Sequence, residues 1–101
     1  MISRKNKVWV VQSSDRNIEA ARKFGQIEVL VLQSSQNDAS TMAYLNKTLL
    51  TEMEEGDYIL PIGSPLYIGV AFIAAYQAVG SFRVLMFDRK SADYIPITVS
   101  L

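Results

Sequence analysis

The residues of this chain that are best suited to chemistry follow directly after its apolar runs. They are rich in hydroxyl, amide and carboxylate groups, and the triplet Gln-Ser-Ser occurs twice among them. Hydroxyl and amide hydrogens can donate to an oxyanion, and an arginine such as Arg16 or Arg89 can add a charge-assisted pair of hydrogen bonds. The candidate binding residues are Gln12, Ser13, Ser14, Asp15, Gln33, Ser34, Ser35, Gly63, Ser64 and Arg89. We predict that this group binds an anionic, nucleotide-like small molecule.

The segment Gly63-Ser64-Pro65 is the clearest local signal in this set. Serine is a favoured N-cap residue, and proline fits the first helical position because its missing N–H has no partner there. The free N–H groups and the dipole of a helix N-terminus favour an anion. Capping alone also explains a serine or an aspartate in such loops. The sequence leaves both interpretations open for each serine.

The composition excludes several kinds of chemistry. The chain has no Cys and no His, which removes thiolate and imidazole metal sites, cysteine nucleophiles and histidine-based triads. No acidic cluster has the spacing of a Mg²⁺ or Ca²⁺ site. The glycine-rich nucleotide motifs and the G-x-S-x-G elbow do not occur in the sequence. We therefore predict neither a metal site nor a cofactor.

Binding without catalysis is our first hypothesis, with a small anion or a partner protein as the ligand at the strand ends. The alternative is a small enzyme that acts on a nucleotide or phosphate compound through Asp15, Ser64 and Asp88, because a carboxylate pair can perform acid–base catalysis. A structural or assembly protein is the third hypothesis.

The charge balance argues against two classes of partner. Lys and Arg together equal Asp and Glu in number, so the net charge is zero and no overall field attracts nucleic acid or an anionic membrane. The basic cluster at residues 4–7 is expected to be a solvated tail that leads into the first strand, and residues 1–6 are expected to be flexible. The longest nearly apolar run, Leu66 to Val79, is shorter than the roughly 20 residues that span a bilayer. We expect a cytoplasmic protein.

The candidate residues need a scaffold, and the hydrophobic pattern predicts one. Apolar runs alternate with helical patterns, which indicates βαβ units around a parallel sheet. Parallel strands bring their carboxyl ends, and hence the candidate loops, to one edge of the sheet. Because proline lacks an N–H donor, Pro61 should lie near the end of its strand, or its strand should lie at an edge of the sheet. Pro96 is tolerated on an edge strand. The predicted strands cover residues 8–11, 27–32, 57–62, 82–87 and 94–101.

Three helices are expected between these strands. Ser14 or Asp15 should cap a short first helix that ends at Gly25. The second helix should begin at Asp38 or Ser40 and fray at its acidic C-terminal end. The apolar positions of the first two helices are Ile18, Ala21 and Phe24, followed by Met42, Leu45, Leu49 and Met53.

The third helix, over residues 65–79, is apolar nearly all round. Such a helix is buried or lies at a subunit interface, so we expect a homodimer formed through it. The expected architecture is a single α/β domain over residues 1–101. It is a three-layer sandwich with a mostly parallel sheet of four to five strands, three helices and a C-terminal antiparallel edge strand.

The order of these features resembles a group of small α/β proteins encoded by bacteriophages and related mobile elements. The resemblance spans most of the chain, and it implies a viral accessory protein without indicating any site residue. The segments that carry it are Ala21-Arg22-Lys23-Phe24-Gly25, Gly56-Asp57-Tyr58-Ile59-Leu60, Gly63-Ser64-Pro65 with the alanine-rich helix, Val84-Leu85-Met86-Phe87 and Asp88-Arg89-Lys90.

Overall fold

A computed structural model describes residues 4–32 and 37–101 of the chain. Over these residues the chain forms five strands, two α-helices and one 3-10 helix. They follow in the order β1 (Lys7–Gln12), the 3-10 helix (Glu19–Phe24), β2 (Gln26–Val31), α1 (Asp38–Glu52), β3 (Tyr58–Leu60), α2 (Pro65–Val79), β4 (Phe82–Asp88) and β5 (Asp93–Val99). The predicted α/β fold class is confirmed.

The strands of the described chain form one sheet in the order β2-β1-β3-β4-β5. Neighbours from β2 to β4 are parallel, and β5 pairs antiparallel with β4 as the predicted edge strand. The chain moves from β1 to β2 in one direction and then returns past β1 to β3. This reversal creates a switch point between β1 and β3, where open α/β sheets most often bind ligands.

The connections cover the two faces of the sheet unequally. Right-handed crossovers place α1 and α2 together on one face and the 3-10 helix on the other. The first face carries the larger core, in which Trp9, Val11 and Ile59 of the sheet pack against the helices. On the second face Val10 and Leu60 pack near Ala21 of the 3-10 helix. The three layers are therefore two helices, the sheet and a thin third layer.

The first helix differs from its prediction. It begins at Glu19 as a 3-10 helix, and the Asn17 Oδ1 atom accepts the hydrogen bond from the Glu19 N–H at 2.9 Å. Ser14 instead accepts a hydrogen bond from the Arg16 N–H at 3.1 Å, which forms a local turn. The prediction that Ser14 or Asp15 caps this helix is therefore wrong. The predicted C-terminal Gly25 is confirmed, and a Cβ there would lie 2.4 Å from the Asn6 carbonyl oxygen.

Both long helices begin where the sequence indicated. α1 starts at Asp38 after the N-cap Asn37, and Leu45 and Leu49 of its apolar stripe are fully buried. α2 starts at Pro65 after the N-cap Ser64, as predicted. At both helices the capping residue and the apolar face indicate the same helix, so local preference and tertiary packing favour the same structure.

β3 is shorter than predicted, and it lies between β1 and β4 in the sheet. The strand ends at Leu60, so Pro61 follows it and occupies no position in the ladder. This confirms the strand-end interpretation of Pro61 over the edge interpretation, because a proline lacks the donor that a central strand needs.

The amino end of the sheet is organised around the buried carboxylate of Asp57, which is 2% exposed. Arg4 donates to both carboxylate oxygens at 2.7 and 3.2 Å. The Lys7 and Glu54 N–H groups and the Trp9 indole N–H donate to it at 2.9–3.0 Å. We call this set the amino-end network. Among the described residues, every buried polar side-chain atom has a hydrogen-bond partner, including those of this network.

The amino-end network changes two expectations. Arg4 also donates to the Glu52 carbonyl at 3.1 Å and pairs with Glu54 at 2.8 Å, so a cation compensates the acidic C-terminal end of α1. The same contacts anchor the chain from Arg4 onward, whereas the sequence predicted a flexible tail over residues 1–6. A single buried carboxylate thus ties the start of the chain to the loop before β3.

Candidate functional site

The switch point between β1 and β3 is filled by a side chain of the protein itself. The Gln12 Oε1 atom accepts a hydrogen bond from the Ser64 N–H at 2.8 Å. Gly63 makes this approach possible, because its φ is +121° and a Cβ there would lie 2.4 Å from the Gln12 Cβ. The Gln12 amide therefore occupies the position that an anion would take at the N-terminus of α2.

The other groups at the start of α2 are also engaged. The Ser64 hydroxyl oxygen accepts from the Leu66 N–H at 3.3 Å, which is the capping interpretation of this serine. The buried Tyr67 hydroxyl donates to the Asp38 carboxylate at the start of α1. The chain thus supplies its own acceptors at this helix terminus.

The remaining candidates divide into three groups. The Ser13 N–H donates to the Val31 carbonyl at 2.9 Å and continues the ladder between β1 and β2. Ser14 closes the local turn described above, and Asp15 is exposed beside it. The predicted site residues Gln33, Ser34 and Ser35 lie outside the described residues.

A cleft with different chemistry opens at the same carboxyl edge, between the loop after β1 and the β4–β5 hairpin. Its volume is about 530 Å³, which is within the range of small-molecule sites. A second cavity of about 70 Å³ adjoins it and shares Arg16, Met86, Phe87 and Tyr94. We call the larger space the arginine cleft. It is lined by Arg16, Asn17, Met86, Phe87, Arg89 and Tyr94.

The arginine cleft has an aromatic floor with cations at its rim. Phe87 and Tyr94 are cross-strand partners, and their ring centroids lie 5.4 Å apart in an edge-to-face arrangement. Phe87 remains 50% exposed although it is a large apolar side chain. Arg16 and Arg89 are exposed, and within the described part of the chain neither guanidinium forms an ion pair. These cations are free to bind an anion.

The carboxylate of Asp88, which precedes Arg89 in the chain, is engaged within the hairpin. Asp88 accepts hydrogen bonds from the Ser91 hydroxyl at 2.8 Å and the Ser91 N–H at 3.2 Å. The bond from the Ser91 hydroxyl, followed by the backbone bonds, holds the pKa of Asp88 below its ordinary value. Asp88 therefore stays ionised and fixes the turn that carries Arg89.

A basic cleft of about 620 Å³ lies at the amino edge, lined in part by Lys5, Arg22 and Lys23. Its cations are largely neutralised within the protein. Arg22 pairs with Glu19 at 3.0 Å, and Lys23 pairs with Asp93. Although this cleft is the larger one, its cations are less available to a ligand than those of the arginine cleft.

Both arginines of this cleft were named from the sequence, but its aromatic side chains were not. Arg16 and Arg89 were predicted to assist an anion at the strand ends, whereas Phe87 and Tyr94 lie in the predicted strands over residues 82–87 and 94–101. The available signal was the hairpin itself. Two runs joined by a short polar segment must pair, and this pairing places Phe87 opposite Tyr94 beside Arg89.

The described residues contain no group of three or more His, Cys, Asp or Glu side chains that could hold a metal ion. Among the helices of the same residues, none is long and apolar enough to cross a membrane.

Comparison with known proteins identifies a family. The model of the phage Pam3 gp32-like protein family matches residues 6–101. The chain belongs to this family, which confirms the resemblance to small bacteriophage proteins. Searches of curated proteins and of solved structures found no significant match.

Proposed function

We propose that this phage-family protein is a small binding protein that holds a nucleotide-like anion in the arginine cleft. The ligand would place its phosphate between Arg16 and Arg89 and its base against Phe87. Guanidinium groups form paired hydrogen bonds with phosphate, and an exposed aromatic face stacks with a base. The proposal keeps the anionic ligand expected from the sequence and assigns it to a different part of the same edge.

The observation that carries the proposal is the pair of uncompensated cations beside an exposed aromatic ring. The ion pairs of Arg4, Arg22 and Lys23 are satisfied inside the protein. Arg16 and Arg89 have no such role among the described residues, and both lie at the mouth of one cleft. A ligand with negative charge and an apolar ring complements these groups.

Binding rather than catalysis is supported by the state of the carboxyl and hydroxyl groups nearby. Asp88 accepts two hydrogen bonds from Ser91, and its lowered pKa makes it a poor general base near neutral pH. Ser64 is engaged as the cap of α2. The enzyme hypothesis needs these groups to be free, so it is the second candidate.

The test is isothermal titration calorimetry with AMP, ATP, adenosine and inorganic pyrophosphate. We expect ATP and AMP to bind more tightly than adenosine or pyrophosphate alone, because only the nucleotides offer both charge and ring. Arg16→Gln and Arg89→Gln should each raise the Kd about 10- to 100-fold, since a charge-assisted hydrogen bond contributes about 1.5–3 kcal/mol. Raising the salt concentration should weaken binding further.

Matched variants separate this site from its alternatives. Lys90→Gln removes the adjacent hairpin cation, which does not line the cleft, and it should leave the Kd unchanged. Ser64→Ala tests the start of α2, and a large loss of affinity there would move the site to the switch point. The absence of binding by every probe would overturn the small-anion proposal and favour a partner protein as the ligand.

Location is part of the same proposal. A nucleotide-like ligand is available in the cytoplasm of an infected cell, and the chain has no cysteine that would profit from an oxidising compartment. Fractionation of infected cells tests this, and recovery of the protein with the membrane or outside the cell would contradict it.

A further inference from the structure

Tyr94 brings a hydroxyl group to the arginine cleft. Its side chain is 6% exposed, and its ring packs edge-to-face against Phe87. The backbone N–H of Tyr94 donates to Asp93, but within the described part of the chain its hydroxyl has no hydrogen-bond partner. Because no unpartnered polar side-chain atom of the described residues is buried, the hydroxyl oxygen must reach open space. Tyr94 lines both the arginine cleft and the small cavity beside it, so the hydroxyl is available to a ligand there.

Asn17 offers further donors to the same cleft. Its Oδ1 atom accepts from the Glu19 N–H at 2.9 Å, which fixes the amide and leaves its Nδ2 hydrogens for other partners. Among the described residues these hydrogens have no acceptor, and Asn17 lines the arginine cleft. A phenol hydroxyl is a donor as well. Donors from Asn17 and Tyr94 thus stand beside the exposed Phe87 ring, so the ring of the ligand should carry acceptors such as carbonyl oxygens.

The small cavity beside the cleft has apolar walls and a limited size. Besides the side chains that it shares with the cleft, it is lined by Pro61 and by the buried Leu60, Ile62 and Leu85. Such a cavity holds water poorly, because a buried water needs about two to four polar partners. A cavity of about 150 Å³ holds a benzene ring. The space of about 70 Å³ here is too small for an aromatic ring and large enough for a methyl group.

We infer that the ligand of the arginine cleft is a thymidine nucleotide. This inference rests on the proposed nucleotide binding and specifies the base. Thymine carries a carbonyl acceptor next to its methyl group, whereas cytosine and adenine carry an amino donor at the corresponding edge. With the ring against Phe87, Tyr94 and Asn17 donate to the carbonyl oxygens and the methyl group enters the small cavity. Arg16 and Arg89 remain free to hold the phosphate.

Isothermal titration calorimetry of the full chain with dTMP, dUMP, dCMP and AMP tests the choice of base. We expect dTMP to bind about 4-fold more tightly than dUMP, which differs only by the methyl group, because burial of one such group contributes about 0.8 kcal/mol. The Kd of dCMP should be about 3- to 10-fold higher than that of dUMP, because its amino group replaces an acceptor. AMP should also bind more weakly than dTMP.

Tyr94→Phe removes the hydroxyl and keeps the ring against Phe87. We expect it to raise the Kd of dTMP about 3- to 10-fold, as for the loss of one hydrogen bond, and to leave the ratio between dTMP and dUMP unchanged. Tyr44→Phe is the matched control, since Tyr44 is 53% exposed on α1 and does not line the cleft. Its Kd should equal that of wild type, and both variants should unfold at the wild-type urea concentration.

The outcomes separate this inference from the proposed function. Equal Kd values for dTMP and dUMP overturn the inference while nucleotide binding stands, and so does an AMP affinity above that of dTMP. A dTMP affinity that Tyr94→Phe leaves unchanged overturns the recognition of the base by the hydroxyl. If none of the four nucleotides binds, the inference and the proposed function fail together.

Discussion

The two ends of the sheet use the same kinds of polar residue in opposite ways. At the amino end, the buried Asp57 carboxylate pairs with the partly exposed Arg4, and the buried polar side-chain atoms of the described residues all have partners. At the carboxyl end, Arg16 and Arg89 line an open cleft without an ion pair among the described residues. The amino end holds the fold together, whereas the carboxyl end has cations available for a ligand.

The difference shows how to separate structural from functional polar groups in a small domain. A buried carboxylate that accepts from the backbone, an indole and a guanidinium cannot act elsewhere without unfolding its surroundings. An exposed arginine beside an exposed aromatic ring contributes little to stability and remains free to bind. Stability and binding should therefore respond to different substitutions.

Replacement of the central carboxylate should have the largest effect on stability. Asp57→Asn removes the charge that Arg4 pairs with and places N–H hydrogens against existing donors. We expect a loss of about 3–5 kcal/mol in the free energy of unfolding, the typical cost of breaking a buried pair, measured by urea denaturation. Asp15→Asn is the control, and this exposed change should stay within about 0.5 kcal/mol. Equal effects of the two would contradict the assignment of the network.

Low pH should remove the stabilisation that the ionised Asp57 carboxylate provides. Burial raises the pKa of Asp57, but the hydrogen bonds from Arg4, from the Glu54 and Lys7 N–H groups and from Trp9 outweigh it and leave the pKa below the ordinary 3.8. The stabilisation is therefore complete above pH 3.8 and is lost as the pH falls through the lower folded-state value.

Urea denaturation across pH tests this sign. The difference in unfolding free energy between wild type and Asp57→Asn should be constant from pH 7 to pH 5 and should shrink below about pH 4. Asp88 and Asp93 also have lowered pKa values, but they are present in both proteins and cancel in the difference. A difference that persists undiminished to pH 2 would show that Asp57 does not titrate as inferred.

The switch point should give an intermediate effect. Gln12→Ala removes the acceptor of the Ser64 N–H and exposes the start of α2 to water. We expect a loss of about 1 kcal/mol, the usual value of a hydrogen bond or helix cap, and no change in the Kd of the arginine cleft. Gln26→Ala at the exposed start of β2 is a matched control. A nucleotide that binds more tightly to Gln12→Ala would show that the vacated helix terminus is the better site.

Much of the fold could be predicted because its signals were local. Pro65 after Ser64 fixed the start of α2, and the stripe of Leu45 and Leu49 defined the buried face of α1. The predicted start of the first helix was wrong because the Ser14 hydroxyl accepts from the Arg16 N–H and forms a turn, and the helix begins at Glu19. A serine before an apolar pattern predicts either outcome.

The site was harder to predict because its residues meet only through long-range pairing. The sequence predicted serines and glutamines at the carboxyl edge. It did not predict that the Gln12 side chain accepts a hydrogen bond from the Ser64 N–H. That contact depends on the positive φ of Gly63. Likewise, Arg4 and Asp57 are far apart in the chain, and the pairing of β1 with β3 brings them together. Side-chain partners of this kind follow from register, which is not visible in composition or spacing.

The smallest effects on stability should come from the arginine cleft. Arg16→Gln and Arg89→Gln should change the unfolding free energy by less than about 0.5 kcal/mol, because exposed charges without partners add little. Arg4→Gln, which breaks the bond to Asp57, should cost several times more by the same urea measurement. If the cleft variants unfold as readily as Arg4→Gln, their arginines support the fold. If Arg16→Gln and Arg89→Gln are both as stable as wild type, the two charges are not needed for folding, as expected for residues that bind a ligand.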